Sequence, residues 1–156
     1  MESFRSVIID VFLSSRVSDS GRIIQEGVEK RNRCNHYDGK YCNLIRTRDW
    51  ILSSWVAEGK IKPHPILCFL CPYYGLNLEE KVEISLLQLL RDYISLRNSI
   101  EKEISRLEGK MGEMIYSSLM LKKRRDELMG TIEQVDFKIN LIKVLLKEME
   151  SNVNIR

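Results

Sequence analysis

Four cysteines, and only four, occur in the 156 residues. They fall into two pairs, Cys34 with Cys42 and Cys68 with Cys71, the second inside Cys-Phe-Leu-Cys-Pro. Thiolates are soft ligands, and four of them complete the tetrahedral shell of a structural Zn²⁺, with one Cys-x-x-Cys turn supplying two. Zinc held by Cys34, Cys42, Cys68 and Cys71 is therefore the expected cofactor. Cys34 and Cys42 stand too far apart in sequence for a tight knuckle, so Asp38-Gly39 must reverse the chain between them. An iron–sulfur cluster is the alternative. It too takes four thiolates, and a proline directly after the last ligand, as in Cys71-Pro72, recurs in ferredoxin-type motifs. Metal-free thiols or a disulfide form the third option. His36 and His64 lie close to the cysteines in sequence and are expected as neighbours of the site, not as ligands.

The segment from Gly59-Lys60-Ile61-Lys62-Pro63 to Cys68-Phe69-Leu70-Cys71-Pro72 resembles the cluster-binding tail of the archaeal transcription factor E beta subunit. That tail also combines a Cys-x-x-Cys-Pro with a Gly-x-Ile-x-Pro run before a cysteine. The resemblance is confined to residues 59–72, with the elements in a different order. It implies no family membership and assigns no residue a role.

A second cluster carries charge. Lys30, Arg31, Arg33, Lys40, Arg46 and Arg48 fall between residues 30 and 48 with only Asp38 opposing, and Tyr37, Tyr41 and Trp50 are interleaved. Cations with aromatics hold phosphates and stack bases, so Arg31, Arg33, Lys40, Arg46 and Arg48 are candidate contacts to DNA or RNA. The competing account is electrostatic. A metal with four thiolates carries a net charge of about −2 that neighbouring cations would offset. Lys122-Lys123-Arg124-Arg125 is read as a solvated helix face, since its members point to different sides and Asp126-Glu127 follow at once.

Catalysis finds little support. There is no glycine-rich phosphate loop, no nucleophile elbow and no His-Glu-x-x-His. A Cys–His nucleophile is conceivable, but a metal accounts for four thiols better. The chain is read as a non-enzyme.

The elements that must position these residues divide at about residue 77. Residues 1–77 are expected to form a small metal-stapled module with short helices. One helix is expected on Phe4, Val7, Ile8, Val11 and Phe12, against a competing strand, and a second over about Ser20–Arg31, weakened by Gly27. A third is expected over Asp49–Glu58, ended by Gly59. Residues 32–48 read as loop, and Pro63 and Pro65 forbid helix around His64. From Leu78 onward no proline occurs, and an apolar heptad stripe runs from Leu86 and Leu90 through Ile100, Leu128, Ile132 and Ile139 to Leu146. Gly109 and Gly112 offer a place to turn. An antiparallel hairpin with helices near 78–108 and 112–150 is preferred over one continuous coiled coil. Arg97 and Arg125 fall within the stripe and are expected to snorkel or to pair with a glutamate of a facing helix.

The net charge of +3 is too small to select a partner. Residues 1–77 carry the whole excess, with 11 Lys/Arg against 8 Asp/Glu, while residues 78–156 hold 14 of each. The second half thus reads as a salt-bridged helical surface. No secretion signal and no membrane-length apolar run is visible, so a cytoplasmic, thiol-reducing compartment is expected. The fold class is mostly α, a small N-terminal four-cysteine metal-stapled module followed by a long C-terminal helical hairpin or coiled coil over 78–156. The expected function is a non-enzymatic interaction protein, nucleic-acid-associated or transcription-linked. A homodimer or hetero-complex would form through residues 78–150, with no membrane partner. The alternative is a scaffold subunit of a protein assembly, archaeal or viral, with no nucleic-acid role.

Overall fold

The computed structural model describes residues 20–49, 52–113 and 118–154. The helix expected on Phe4 to Phe12 lies outside them. The chain is mostly helical, and the described residues fall into two compact units: those up to Leu89 together with those from Val144 on, and those within Leu90–Lys143.

In the first unit, helix α1 spans Ser20–Arg33 and helix α2 spans Pro65–Leu70. Lys30, Arg31 and Arg33 occupy the last turn of α1, where cations complement the helix dipole. The two helices pack closely, and Gly27 makes this contact. A Cβ at that position would stand 2.0 Å from the carbonyl oxygen of Pro65. In sequence Gly27 weakens α1; in the fold it is the residue that lets α2 approach. Ile23, Ile66, Leu67, Phe69 and Leu70 are buried.

Helix α2 starts where proline rules allow. Pro65 occupies its first turn, where a missing N–H costs nothing. His64 is the N-cap, its Nδ1 accepting from the Ile66 N–H at 3.1 Å. The His64 ring also stacks on Trp55 at 5.3 Å between centroids.

The helix expected over Asp49–Glu58 is replaced. Trp50 and Ile51 lie outside the described residues; among the described ones of that span, Leu52–Trp55 form a 3₁₀ turn. Strands β2 (Val56–Ala57) and β3 (Lys60–Ile61) follow as an antiparallel hairpin in the register Val56↔Ile61 and Ala57↔Lys60. Glu58 at φ 55° and Gly59 at φ 75° form its two-residue turn. Positive φ at both central positions matches the twist of a tight hairpin, so Gly59 turns a ribbon and does not end a helix. Strand β1 (Ile45–Arg46) pairs in parallel with β4 (Val82–Glu83), with Ile45 opposite Val82.

The β1–β4 ladder also explains why the long helix begins later than residue 78. Val82 and Ile84 donate to the carbonyls of Leu44 and Arg46, both at 2.9 Å. The backbone is therefore extended up to Ile84. Ser85 Oγ then accepts from the Gln88 N–H at 3.1 Å, and an Asp49 carboxylate oxygen accepts from the Leu86 N–H at 2.9 Å. Both satisfy donors left free at a helix start.

Helix α3 spans Leu86–Glu113 and α4 spans Ser118–Asn154. They pack as an antiparallel hairpin: Arg97 is ion-paired with Asp136, and the Lys138 ammonium lies 5.6 Å from the Tyr93 ring centroid. Numbers that rise along α3 meet numbers that fall along α4. Gly109 and Gly112 do not make the turn. Both lie inside α3, where a Cβ would meet nothing within 4 Å; on an exposed face a glycine costs propensity, about 1 kcal/mol, and not packing. The heptad positions Leu86, Tyr93, Ile100, Leu107, Leu128, Val135, Ile139 and Ile142 are buried, with Leu90, Ile132 and Leu146 half-buried. Arg97 bridges to Glu101 at 2.6 Å on its own helix as well as to Asp136 on the facing one. The facing partner is thus an aspartate where a glutamate was expected. Arg125 turns to its neighbour Asp126 at 3.3 Å.

Candidate metal centre

All four cysteines line one small cavity of about 30 Å³, completed by Lys30, Arg31, Tyr37, Ile45, Pro63, Leu67 and Tyr74. All four are free, half-buried thiols. Among the described residues no group of three or more His, Cys, Asp or Glu side chains stands at metal-holding distances. The thiols share a cavity without having closed on a common centre.

Three local structures bring them there. Cys34 follows directly on α1, its N–H donating to the Arg31 carbonyl at 3.2 Å. Tyr37 and Cys42 then pair in antiparallel fashion. The chain reverses between them as the sequence requires: Asp38 accepts from the N–H groups of Lys40 (2.9 Å) and Tyr41 (2.7 Å), and Gly39 takes φ 100°. Cys42 in turn pairs with Ile61 of β3, donating to its carbonyl at 2.9 Å. Cys68 sits in α2, and Cys71 is its C-cap, its N–H bonded to the Cys68 carbonyl at 3.3 Å.

Burial, and then the charge of Cys71, pushes the Cys68 thiol up to about 12, with smaller contributions from Cys42 and Cys34 and an opposing one from Arg31. Burial also raises Cys71, against the Tyr73 N–H and Lys30. Cys34 and Cys42 of the first pair thus contribute to the electrostatics of Cys68 and Cys71 in the second. Raised in this way, the Cys68 and Cys71 sulfurs are poor nucleophiles; a divalent cation in the cavity would deprotonate them outright.

Two cations flank the cavity. Lys30 donates to the carbonyls of Phe69 (3.2 Å) and Cys71 (3.3 Å) and lies 5.4 Å from the Tyr74 ring centroid. Burial pulls its ammonium below the ordinary range, while Cys71, Cys68, Glu26 and Cys34 pull the other way. Arg31 donates to the Pro63 carbonyl at 3.2 Å, but its Nε is buried without a partner. A buried donor beside four thiols is the group that N–H···S bonding to thiolates would satisfy. The donor set, two compensating cations and an orphaned N–H all fit a tetrathiolate metal.

The histidines stand elsewhere. His64 is occupied as cap and stacking partner, and His36 Nε2 is hydrogen-bonded to the Leu76 carbonyl at 2.9 Å. Neither lines the cysteine cavity.

The basic residues separate into groups. Arg31 belongs to the cavity wall, with its guanidinium also 5.4 Å from the Tyr37 centroid. Arg48 is paired with Glu83 at 3.5 Å. Arg33 and Arg46 are exposed. Lys40 stands 5.1 Å from the Tyr41 ring centroid, where Lys60 (5.7 Å) and Lys62 (5.8 Å) join it. Sequence reasoning missed Lys60 and Lys62 because they lie outside the 30–48 window. The signal was their spacing of two in a strand, which places both on one face.

Among the described residues no helix is long and apolar enough to cross a membrane. No family model matches the chain, and neither a curated protein nor a solved structure matches it, so its site is read from its own geometry.

Proposed function

We propose that this chain is a non-enzymatic, zinc-stapled interaction protein that associates with nucleic acid, with the helical hairpin as its assembly region. The convergence of Cys34, Cys42, Cys68 and Cys71 on one cavity carries this reading. Zinc is favoured over iron–sulfur on the chemistry of the donors, since four thiolates close the tetrahedral shell of a single structural ion. The four thiolates would hold it, Lys30 and Arg31 would offset the excess negative charge, and the metal would clamp α1, the Tyr37–Cys42 turn and α2 together. Its contribution is to folding, because a closed four-sulfur shell leaves no open position for chemistry.

Metal analysis tests this directly. Protein purified without oxygen should carry one zinc per chain and no absorption near 400 nm. A strong chelator should unfold the first unit, read by tryptophan fluorescence, before the hairpin, read by helical circular dichroism. Iron in place of zinc, or full retention of structure after metal removal, would overturn the assignment.

A specific observation favours a second reading, a scaffold subunit without a nucleic-acid role. The hairpin carries an open groove of about 900 Å³ lined by Ile104, Met129 and Ile132 together with Glu101, Lys102 and Glu133. Leu119 and Met120 are 79% and 78% exposed. Apolar surface of this kind marks interfaces, and charges of both signs in the lining favour a partner helix over a polyanion.

A further inference from the structure

We propose that the outward face of the ribbon built on Cys42 and β3, consisting of Tyr41, Lys40, Lys60 and Lys62, binds the backbone of a single-stranded nucleic acid. This rests on the nucleic-acid reading above and names the surface responsible.

The placement follows from strand alternation. Cys42 and Ile61 are directly paired. Their side chains share the inner face, where Ile61 is buried and Cys42 lines the cysteine cavity. The residues on either side, Tyr41, Lys60 and Lys62, must then point outward. The observed geometry agrees: all three lysines are exposed, and their ammonium groups lie 5.1 to 5.8 Å from one ring centroid. Asp38, whose carboxylate is held by the Lys40 and Tyr41 N–H groups and feels Lys60, is the acid at this face. Glu58 sits at the hairpin tip. Three cations around one ring repel one another and leave a net positive surface that a phosphate would neutralise.

The aromatic ring selects the strandedness. A tyrosine lying in a ribbon can stack on a base only when that base is unpaired, and lysines beside it then reach the flanking phosphates. Arg31 is engaged within the fold, whereas Lys40, Lys60 and Lys62 gather around one ring, so the binding charge is assigned to this face.

The test is fluorescence anisotropy with a labelled 20-nucleotide single strand and its duplex, at several salt concentrations. Three neutralised phosphates should give a log–log salt slope of about −2 for the single strand. The double variant Lys60→Glu with Lys62→Glu should lose at least tenfold in affinity and flatten the slope by about 1.4. The milder Lys60→Gln with Lys62→Gln should flatten it equally and guards against misfolding, which circular dichroism checks. Tyr41→Phe should bind as the wild type does, while Tyr41→Ala should lose about fivefold or more. The charge-matched pair Lys122→Glu with Lys123→Glu on α4 should change affinity less than threefold. Equal losses in the two lysine pairs, or preference for the duplex, would overturn this assignment and leave the nucleic-acid reading standing. No binding by the wild type to any strand at low salt would overturn both.

Discussion

Replacing Gly27 by alanine separates packing from propensity. By helix propensity alone the change should stabilise α1 by about 1 kcal/mol. The new Cβ, however, would lie 2.0 Å from the Pro65 carbonyl oxygen, 2.6 Å from its carbon and 3.0 Å from its Cα. These are backbone atoms and cannot rotate away, so the helices must part by about 1 Å to restore even a tight contact. A gap of about 0.5–1 Å forfeits roughly a quarter to a half of a dispersion well. Ile23, Ile66 and Leu70 are at most 1% exposed, and each is worth about 2 kcal/mol in burial. The loss is then about 1.5–3 kcal/mol, and the net effect is destabilisation by about 0.5–2 kcal/mol. Urea unfolding followed by tryptophan fluorescence measures it, because Trp55 is buried in the same unit. Gly21→Ala is the control: it lies in α1 with nothing within 4 Å and should be neutral or stabilising. The parting of α1 from α2 would also move Cys34 away from Cys68 and Cys71, so zinc affinity should fall together with stability. A Gly27→Ala protein as stable as Gly21→Ala, with unchanged zinc affinity, would refute the close-approach argument.

Three further outcomes are expected. His64→Ala removes both the acceptor at the start of α2 and the face stacked on Trp55, and should cost about 1–2 kcal/mol in urea unfolding; His64→Asn, which keeps a capping acceptor, should recover part of it. The Asp38 carboxyl is held below its usual range first by the Tyr41 N–H and then by the Lys40 N–H. The turn is therefore fully stabilised above the unfolded carboxyl pKa and loses that stabilisation as pH falls through the lower folded value; the protection of the Lys40 and Tyr41 amides from exchange, relative to their intrinsic rates, should fall only in that acid window, and unchanged protection down to pH 2 would contradict it. Light scattering at tens of micromolar should show a homodimer or larger, and Leu119→Glu with Met120→Glu should shift it toward monomer; a monodisperse wild-type monomer would show that the hairpin satisfies its own apolar stripe.

The sequence was most legible where the cause is local or periodic. The heptad stripe predicts the burial of Tyr93, Ile100, Leu107, Leu128 and Val135 because a helix repeats its face nearly every seventh residue whatever surrounds it. Asp38-Gly39 reverses the chain because an aspartate acceptor and a glycine at positive φ make a turn by themselves. The first cysteine pair could be placed on that basis. The position of Pro65 in the first turn of α2 follows from a rule about φ and a missing N–H, yet Pro63 and Pro65 around His64 read in sequence only as helix breakers.

Tertiary structure decided the rest, and in each case the deciding contact is distant in sequence. Gly27 marks a weak point in an isolated helix, but the carbonyl of Pro65 makes it a requirement. Glu58-Gly59 can end a helix or turn a hairpin; the pairing of Ile61 with both Val56 and Cys42 selects the hairpin. Residues 78–84 could have extended α3, but Leu44 and Arg46 supply hydrogen-bond acceptors that hold Val82 and Ile84 extended. The roles of the basic residues divide in the same way. Composition shows that cations accumulate around the cysteines. Only the fold separates Arg31, whose buried Nε faces the need for an acceptor, from Lys60 and Lys62, which strand alternation turns out to solvent, and Lys40, which the Asp38 turn leaves exposed beside them. Charge is a property of the residue, but its partner is chosen by the surface on which folding leaves it.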